Sequence, residues 1–336
     1  MSFNLAFYFS FFVVLGLIGI ALLGVAGAKL YVVFGVVIPY LSVVIFFAGM
    51  IYRVFKWASS PVPFKIPTTC GQQKSLPWIK YSRLESPFTT FDVVLRMLLE
   101  VLFFRSLFRN VRVEIRKGGP RVIYWSNKWL WLGAILFHYS FLIVLIRHLR
   151  FFTTPVWSFV RLVESVDGFL QVTLPGLYIS GIVLLVATVA LLLRRVFVPT
   201  LRYISLTSDY FPLFLIIGIA LTGIIMRYIY KVDIVSVKEL TMGLVTFHPK
   251  IPEGIGSIFY VHLFLVCVLF AYFPFSKLVH MAGVFLSPTR NMPNNNRAVR
   301  HINPWNPPVQ VHTYEEWEEE FRDKIKAVGL PLEKEE

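Results

Sequence analysis

Six stretches of this sequence are apolar for long enough to cross a lipid bilayer, and that limits what the chain can become. A spanning helix needs about 20 mostly apolar residues. The runs near 5–28, 30–52, 128–146, 174–198, 211–228 and 257–286 meet that length. In hydrocarbon every backbone polar group must be paired within the chain, so such runs fold as helices. Composition agrees: 56% of the 336 residues are apolar and 15% are charged, against about 25% charged in soluble domains. The expected fold is an all-α integral membrane protein, with about six transmembrane helices in one bundle. Lys29 is the first basic residue, so no basic segment precedes the first run. That run is expected to be a retained helix rather than a cleaved signal.

The pattern divides the chain into four parts. Residues 1–52 form an N-terminal transmembrane hairpin, turned at Lys29. Residues 53–127 form a basic connection, residues 128–288 hold the last four spans, and residues 289–336 form a polar tail. Ser126-Asn127 precede the third span, Arg194-Arg195 close the fourth, and Pro274 should kink the sixth. The connection starts Pro-rich (SSPVPFKIP), and an ambiguous apolar stretch, 88–108, follows. Asp92, Arg96 and Glu100 share one face of that stretch, which suits a helix lying in the membrane interface better than one crossing it. RVEIRKGGPRVIYW alternates around a Gly-Gly-Pro turn and is expected to form a small hairpin.

The net charge of +14 is a matter of sidedness more than of nucleic acid. The connection carries 14 Lys and Arg from Arg53 to Lys128, and Arg194, Arg195, Arg202, Arg290, Arg297 and Arg300 lie on the same side. The opposite loops are less basic. Basic loops stay cytoplasmic, so the expectation is a multi-pass protein of the cell membrane, in contact with lipid, with both termini cytoplasmic and no nucleic-acid partner. In the tail, Tyr314, Trp317, Phe321, Ile325 and Val328 recur at close to helical period. Thr313 with Glu316 makes a capping box, and Gly329 is a stop. This amphipathic helix either folds onto its own protein or docks a cytoplasmic partner; both readings stay open.

There are two cysteines, Cys70 and Cys267, and no Cys-x-x-Cys. That excludes covalent c-type haem and four-cysteine iron–sulfur clusters. Cys267 lies in an apolar helix and reads as packing, while Cys70, in the polar loop TTCGQQ, is a functional or an incidental thiol. Of seven histidines, His248, His301 and His312 fall in loops or the tail. The other four are His138 and His148 on the third span and His262 and His280 on the sixth. Ionisable residues inside spans are rare, and mark function by default. Haem iron held by two side chains needs an imidazole from each side, and two facing helices that each offer two His at different depths can hold two haems b. Depth along antiparallel helices pairs His138 with His280 and His148 with His262. The spacings differ, however: 10 residues is about 15 Å and 18 is about 27 Å of helix. Eighteen residues return to the same face; ten leave an offset of about 80°.

Two His ten apart on one helix and two His eighteen apart on a later one resemble the di-haem cytochrome b subunit of respiratory nitrate reductase, over about 128–288. The N-terminal hairpin, the loop TTCGQQKSLPWIKYSRLESP and the tail NMPNNNRAVRHINPWNPP extend the likeness. They resemble the DsrM family, the membrane subunit of the sulfite-reduction-associated DsrMKJOP complex. The resemblance implies two haems b on His138, His148, His262 and His280 in the pairing above, and reaction with menaquinone. It also implies partner subunits: a cytoplasmic iron–sulfur protein related to heterodisulfide reductase and a periplasmic cytochrome c. The chain would then be the quinone-reactive electron-transfer subunit of an oxidoreductase complex in dissimilatory sulfur metabolism. Lys128, Arg202 and Lys277 lie where they could neutralise propionates, though such side chains more often snorkel. Arg147, Arg150, Glu164, Asp167, Lys231 and Asp233 lie near the outer pair, without a motif that assigns quinone ligands. The rival readings are a proton or solute transporter with a histidine relay, and a passive anchor with structural histidines.

Overall fold

The computed structural model describes residues 4–60, 71–109, 112–115, 122–170, 175–299 and 311–333. Cys70, most of SSPVPFKIP, the Gly-Gly-Pro turn and all of the tail segment HINPWNPP, His301 included, lie outside them. Among the described residues, six helical segments are long and apolar enough to cross a membrane: Leu5–Gly27, Val33–Ala58, Lys128–Phe151, Ile179–Phe197, Thr207–Tyr228 and Ser257–Phe275. The first is α1 (Leu5–Leu22), continued by a π-helical turn; a second π turn leads into α2 (Ile38–Ala58). The connection holds α3 (Thr90–Phe103), α4 (Arg105–Phe108), and strands β1 (Arg112–Ile115) and β2 (Val122–Trp125). The strands pair antiparallel, with Arg112 opposite Trp125, as the alternating pattern predicts. Next come α5 (Lys128–His148), α6 (Ser158–Asp167), α7 (Ile179–Phe197), α8 (Pro199–Ile204), α9 (Thr207–Tyr228) and α10 (Ile234–Val245). The last are α11 (Ser257–Tyr272), α12 (His280–Leu286) and α13 (Tyr314–Ala327).

Helices α9 and α11 form the centre. Helix α1 packs on both, α2 packs on α11, and α7 bridges α9 to α5. Leu215, Tyr260 and Leu265 are buried where they meet. Long apolar side chains such as Phe12, Val44 and Val186 stay exposed on the outer faces, as lipid requires. The chain is a multi-pass membrane protein. One end of the bundle, here the connector side, carries α3 and α4, the α7–α9 turn and the exit from α11; the far side carries α6 and α10.

Polar side chains close the helix ends. Asn4 accepts from the Ala6 N–H and donates to the Ser205 carbonyl, both at 2.9 Å. Asp209 accepts from the Leu206 N–H at 3.1 Å and caps α9. Asn127, by contrast, makes no side-chain cap for α5. In the tail the Thr313–Glu316 capping box forms as read, and Gly329 adopts a left-handed φ of 74°.

Two expectations need correction. The sixth span breaks instead of kinking. Pro274 has no N–H to continue the helix; Ser276 is extended, and its hydroxyl accepts from the Leu278 N–H at 3.1 Å to start a new turn. His262 and His280 therefore stand on separate helices, and the shared face expected of one continuous helix does not apply. Second, the stripe of Asp92, Arg96 and Glu100 is buried in protein instead of facing the headgroups.

Candidate functional site

The structure brings His138, His148, His262 and His280 together as two pairs. On the connector side, the ring centroids of His138 and His280 are 5.9 Å apart. On the far side, those of His148 and His262 are 6.3 Å apart and the rings nearly parallel, at 16°. The break in the sixth span reconciles the unequal spacings, because His280 opens α12 and is freed from the axis of α11.

Each ring is oriented through Nδ1. His138 donates to the Ala134 carbonyl at 2.8 Å, His148 to Val144 at 2.7 Å and His280 to Lys277 at 2.8 Å. A carbonyl only accepts, so the proton sits on Nδ1 and Nε2 keeps its lone pair. His262 does the same by another route, since its Nδ1 lies 2.9 Å from Thr222 Oγ1. The Thr222 hydroxyl is within reach of the Gly218 and Ile219 carbonyls. Its single proton goes to one of them, and its oxygen accepts from His262. Gly223 allows this approach: a Cβ there would stand 3.3 Å from His262 Cε1.

These features fit iron held between imidazoles. With metal–nitrogen bonds of about 2 Å on both sides, two ring centroids stand roughly 6 Å apart. Ligating histidines typically donate their other N–H to a carbonyl or hydroxyl, as all four do here. The helices that carry the pairs also stand apart. Helix α5 leans on α7 and scarcely touches α11. Only 6% of its apolar stretch is buried by protein, against 44% for α9 and for α11. The α5 backbone thus stands off from α11 where the two pairs lie.

Each pair has its own surroundings. The Phe104 ring packs edge-on against His138 at 4.9 Å. Beside His280, Lys277 binds Asp209 at 2.7 Å, and Arg195 approaches the same carboxylate at 3.5 Å. Lys277 thus has a carboxylate partner of its own, and Lys128 sits over the Phe108 ring at 5.5 Å. On the far side, Arg147 ion-pairs with Asp167, which also accepts from Ser180 N–H and Oγ at 2.7 and 2.6 Å. The guanidinium carbons of Arg147 and Arg227 lie 3.4 and 3.8 Å from the Tyr178 ring centroid. Groups so close to one ring must occupy its opposite faces. The Tyr178 hydroxyl donates to Glu164 at 2.5 Å, and Glu164 pairs with Arg150. Sequence reasoning found Arg147, Arg150, Glu164 and Asp167 but missed Thr222 and Arg227 in α9, Tyr178 just before α7 and Phe104 between α3 and α4, none of which carries a motif. Lys231 and Asp233 are exposed, and Asp233 caps α10.

Six spans with facing imidazole pairs at two depths define a multi-pass membrane protein of the cytochrome b type. The chain belongs to the nitrate reductase gamma subunit family, whose family model matches residues 94–298. It is 52% identical over 283 residues to the Hdr-like menaquinol oxidoreductase cytochrome b-like subunit of Archaeoglobus fulgidus, covering 82% of this chain and 84% of that protein. The protein of the same description from Archaeoglobus profundus is 47% identical over 277 residues, covering 80% and 82%. The respiratory nitrate reductase 1 gamma chain of Escherichia coli is 28% identical over 168 residues, covering 47% and 74%.

Proposed function

We propose that this chain is the menaquinol-reactive, two-haem subunit of a membrane electron-transfer complex, with the pairs His138/His280 and His148/His262 as axial ligands. The observation that carries the reading is the pair geometry: two imidazole pairs at centroid separations of 5.9 and 6.3 Å, every Nδ1 engaged. Bound haem b supplies a one-electron carrier at each pair. The chain's own residues do the rest. Nδ1 acceptors hold each ring in one tautomer, and the two pairs sit at different depths.

The relatives from Archaeoglobus, described as parts of Hdr-like menaquinol oxidoreductases, support menaquinol as the reductant. We place quinol on the far side, where Arg147, next in sequence to His148, stacks on the Tyr178 ring and the Tyr178 hydroxyl donates to Glu164. The basic connector side is taken as cytoplasmic, so both termini lie there. Docking of an iron–sulfur protein related to heterodisulfide reductase falls to that side and to α13. A place beside a periplasmic cytochrome c, in a DsrM-like complex of dissimilatory sulfur metabolism, completes the reading.

The test is a dithionite-reduced minus oxidised spectrum, with a pyridine haemochrome assay, on the detergent-solubilised chain and four single His→Ala variants. Two haems b per chain are expected, with His138→Ala and His280→Ala losing the same one. A folded chain without haem would overturn the reading and favour a histidine-relay transporter.

A further inference from the structure

Helix α3 is amphipathic in the reverse of the usual sense. Its charged stripe is inside: Asp92, Arg96 and Glu100 are 1%, 1% and 6% exposed. Its other face is apolar and open, with Phe91 67%, Val94 52%, Leu98 52% and Leu102 46% exposed. Two stretches of chain cover the charged face. From residues 71–87, Arg83 binds Asp92 at 2.7 Å, and the Glu85 carbonyl accepts from Arg96 at 3.4 Å. From residues 287–299, Arg290 binds Glu100 at 3.0 Å. The two stretches are tied to each other by the Asn294 N–H on the Pro87 carbonyl, at 2.5 Å, and by Gln73 Nε2 on the Asn296 side chain, at 2.8 Å. A stripe of apolar side chains this large is not left to water.

The C-terminal end of α3 shows where the helix sits. The last carbonyls of a helix have no partner within it, and in hydrocarbon they find no water. Here the Phe103 carbonyl accepts from Trp131 Nε1, and the Leu102 carbonyl from the Tyr139 hydroxyl, both at 2.7 Å. Both donors belong to the spanning helix α5, which starts at Lys128. Trp131 and Tyr139 lie about 4.5 and 16 Å along it by helical rise. The end of α3 therefore stands level with the hydrocarbon of one leaflet. At Phe104 the backbone turns left-handed, with φ 49° and ψ 45°, and the chain reverses into α4. Phe108 packs on Trp131 at 4.9 Å as the chain climbs back toward Lys128.

We infer that α3 and α4 form a re-entrant membrane element on the connector side, whose exposed apolar face rests on lipid acyl chains and whose tip, Phe104, roofs the His138–His280 pair. The occupant is lipid because the open face is continuous with the lipid-facing belt of α5, to which its tip is bonded. The charged face then serves as the anchor for the 71–87 and 287–299 segments, which sit above the membrane. None of this depends on the electron-transfer reading, since it uses only the spans and the contacts of α3.

The test uses single nitroxide labels at Phe91→Cys, Val94→Cys, Leu98→Cys and Leu102→Cys, in a background with Cys70→Ser and Cys267→Ala, reconstituted in phosphatidylcholine vesicles. A label at Val186→Cys, on the exposed face of α7, serves as the lipid reference and shows that the bundle is folded. Expected at all four positions is collision with oxygen and shielding from a water-soluble nickel chelate, as at position 186. Accessibility to nickel would overturn the proposal by placing α3 in water. Shielding from both reagents would overturn it in favour of a protein surface, a second copy of the chain included. Four independent positions keep the test decisive if one variant fails to fold.

Discussion

Thr222 holds His262 in place: its Oγ1 lies 2.9 Å from His262 Nδ1, and it is the one side chain among the four Nδ1 acceptors. The other three rings lean on carbonyls that no substitution removes. Thr222→Val keeps the shape and deletes the acceptor. Loss of such an outer-shell partner costs about 10–100-fold in metal affinity. A loss of that size is expected for the far-side haem alone, read by haem titration of the apo-protein, with Thr222→Ser restoring it. Equal loss at both pairs would show that the hydroxyl supports the bundle instead of the ring.

Lys277 links two features of the connector side. Its carbonyl accepts from His280 Nδ1, and its ammonium binds Asp209 at the start of α9. Because the Lys277 side chain is mostly exposed, the ion pair adds no more than about 1 kcal/mol to stability. Its effect should fall on geometry. Asp209→Asn keeps the size and capping capacity of the side chain and weakens the pull on Lys277. Asp209→Asn and Lys277→Met should each alter the spectrum of the connector-side haem, and together no more than either alone. Additive effects would show that the two residues act separately.

What was legible in the sequence was set by length and by rarity. Spans announce themselves because hydrocarbon tolerates few charges over about 20 residues, and four histidines inside such runs stand out for the same reason. The Thr313–Glu316 capping box is a local signal and formed as read. The break at Ser276 was not legible, because Pro274 alone announces a kink; the second helix start depends on the Ser276 hydroxyl reaching Leu278 N–H. Thr222 was hidden because its partner lies 40 residues away in sequence, and hydroxyls in helices commonly bond their own carbonyls. For α3, periodicity located the two faces but not which one turns inward. That depends on Arg83 and Arg290 arriving from distant segments to neutralise the acidic groups on the stripe.

The break also sets a limit on α2. A Cβ added at Gly49 would stand 2.7 Å from Pro274 Cβ and 2.9 Å from its Cγ, inside van der Waals contact with a rigid ring. Overpacking of this kind costs about 1–3 kcal/mol. Gly49→Ala should therefore lower the thermal midpoint in detergent. Gly16→Ala meets nothing within 4 Å and should leave the midpoint unchanged or raise it, since alanine favours helix by up to about 1 kcal/mol. A similar response from both variants would mean that α2 and the Pro274 turn are less closely packed than described.

Acid should loosen the cover of α3 from one identifiable point. Burial raises the Asp92 carboxyl pKa, but the hydrogen bonds from Arg83 and Thr89 and the charge of Arg83 outweigh it and hold it below the ordinary carboxylate value. A carboxylate depressed in the folded state stabilises at neutral pH. It loses that contribution as pH falls from the unfolded value, about 3.9 for Asp, through the lower folded one. Residues 71–87 should thus exchange their amide hydrogens several-fold faster as pH drops below about 4, after correction for intrinsic exchange and relative to α13. Asp92→Asn removes the titrating group, so this variant should show the faster exchange already at neutral pH and little further change on acidification. If wild type and variant respond to acid alike, the Arg83–Asp92 pair is not what fastens the cover, and the Arg290–Glu100 bridge, 3.0 Å long, becomes the group to test.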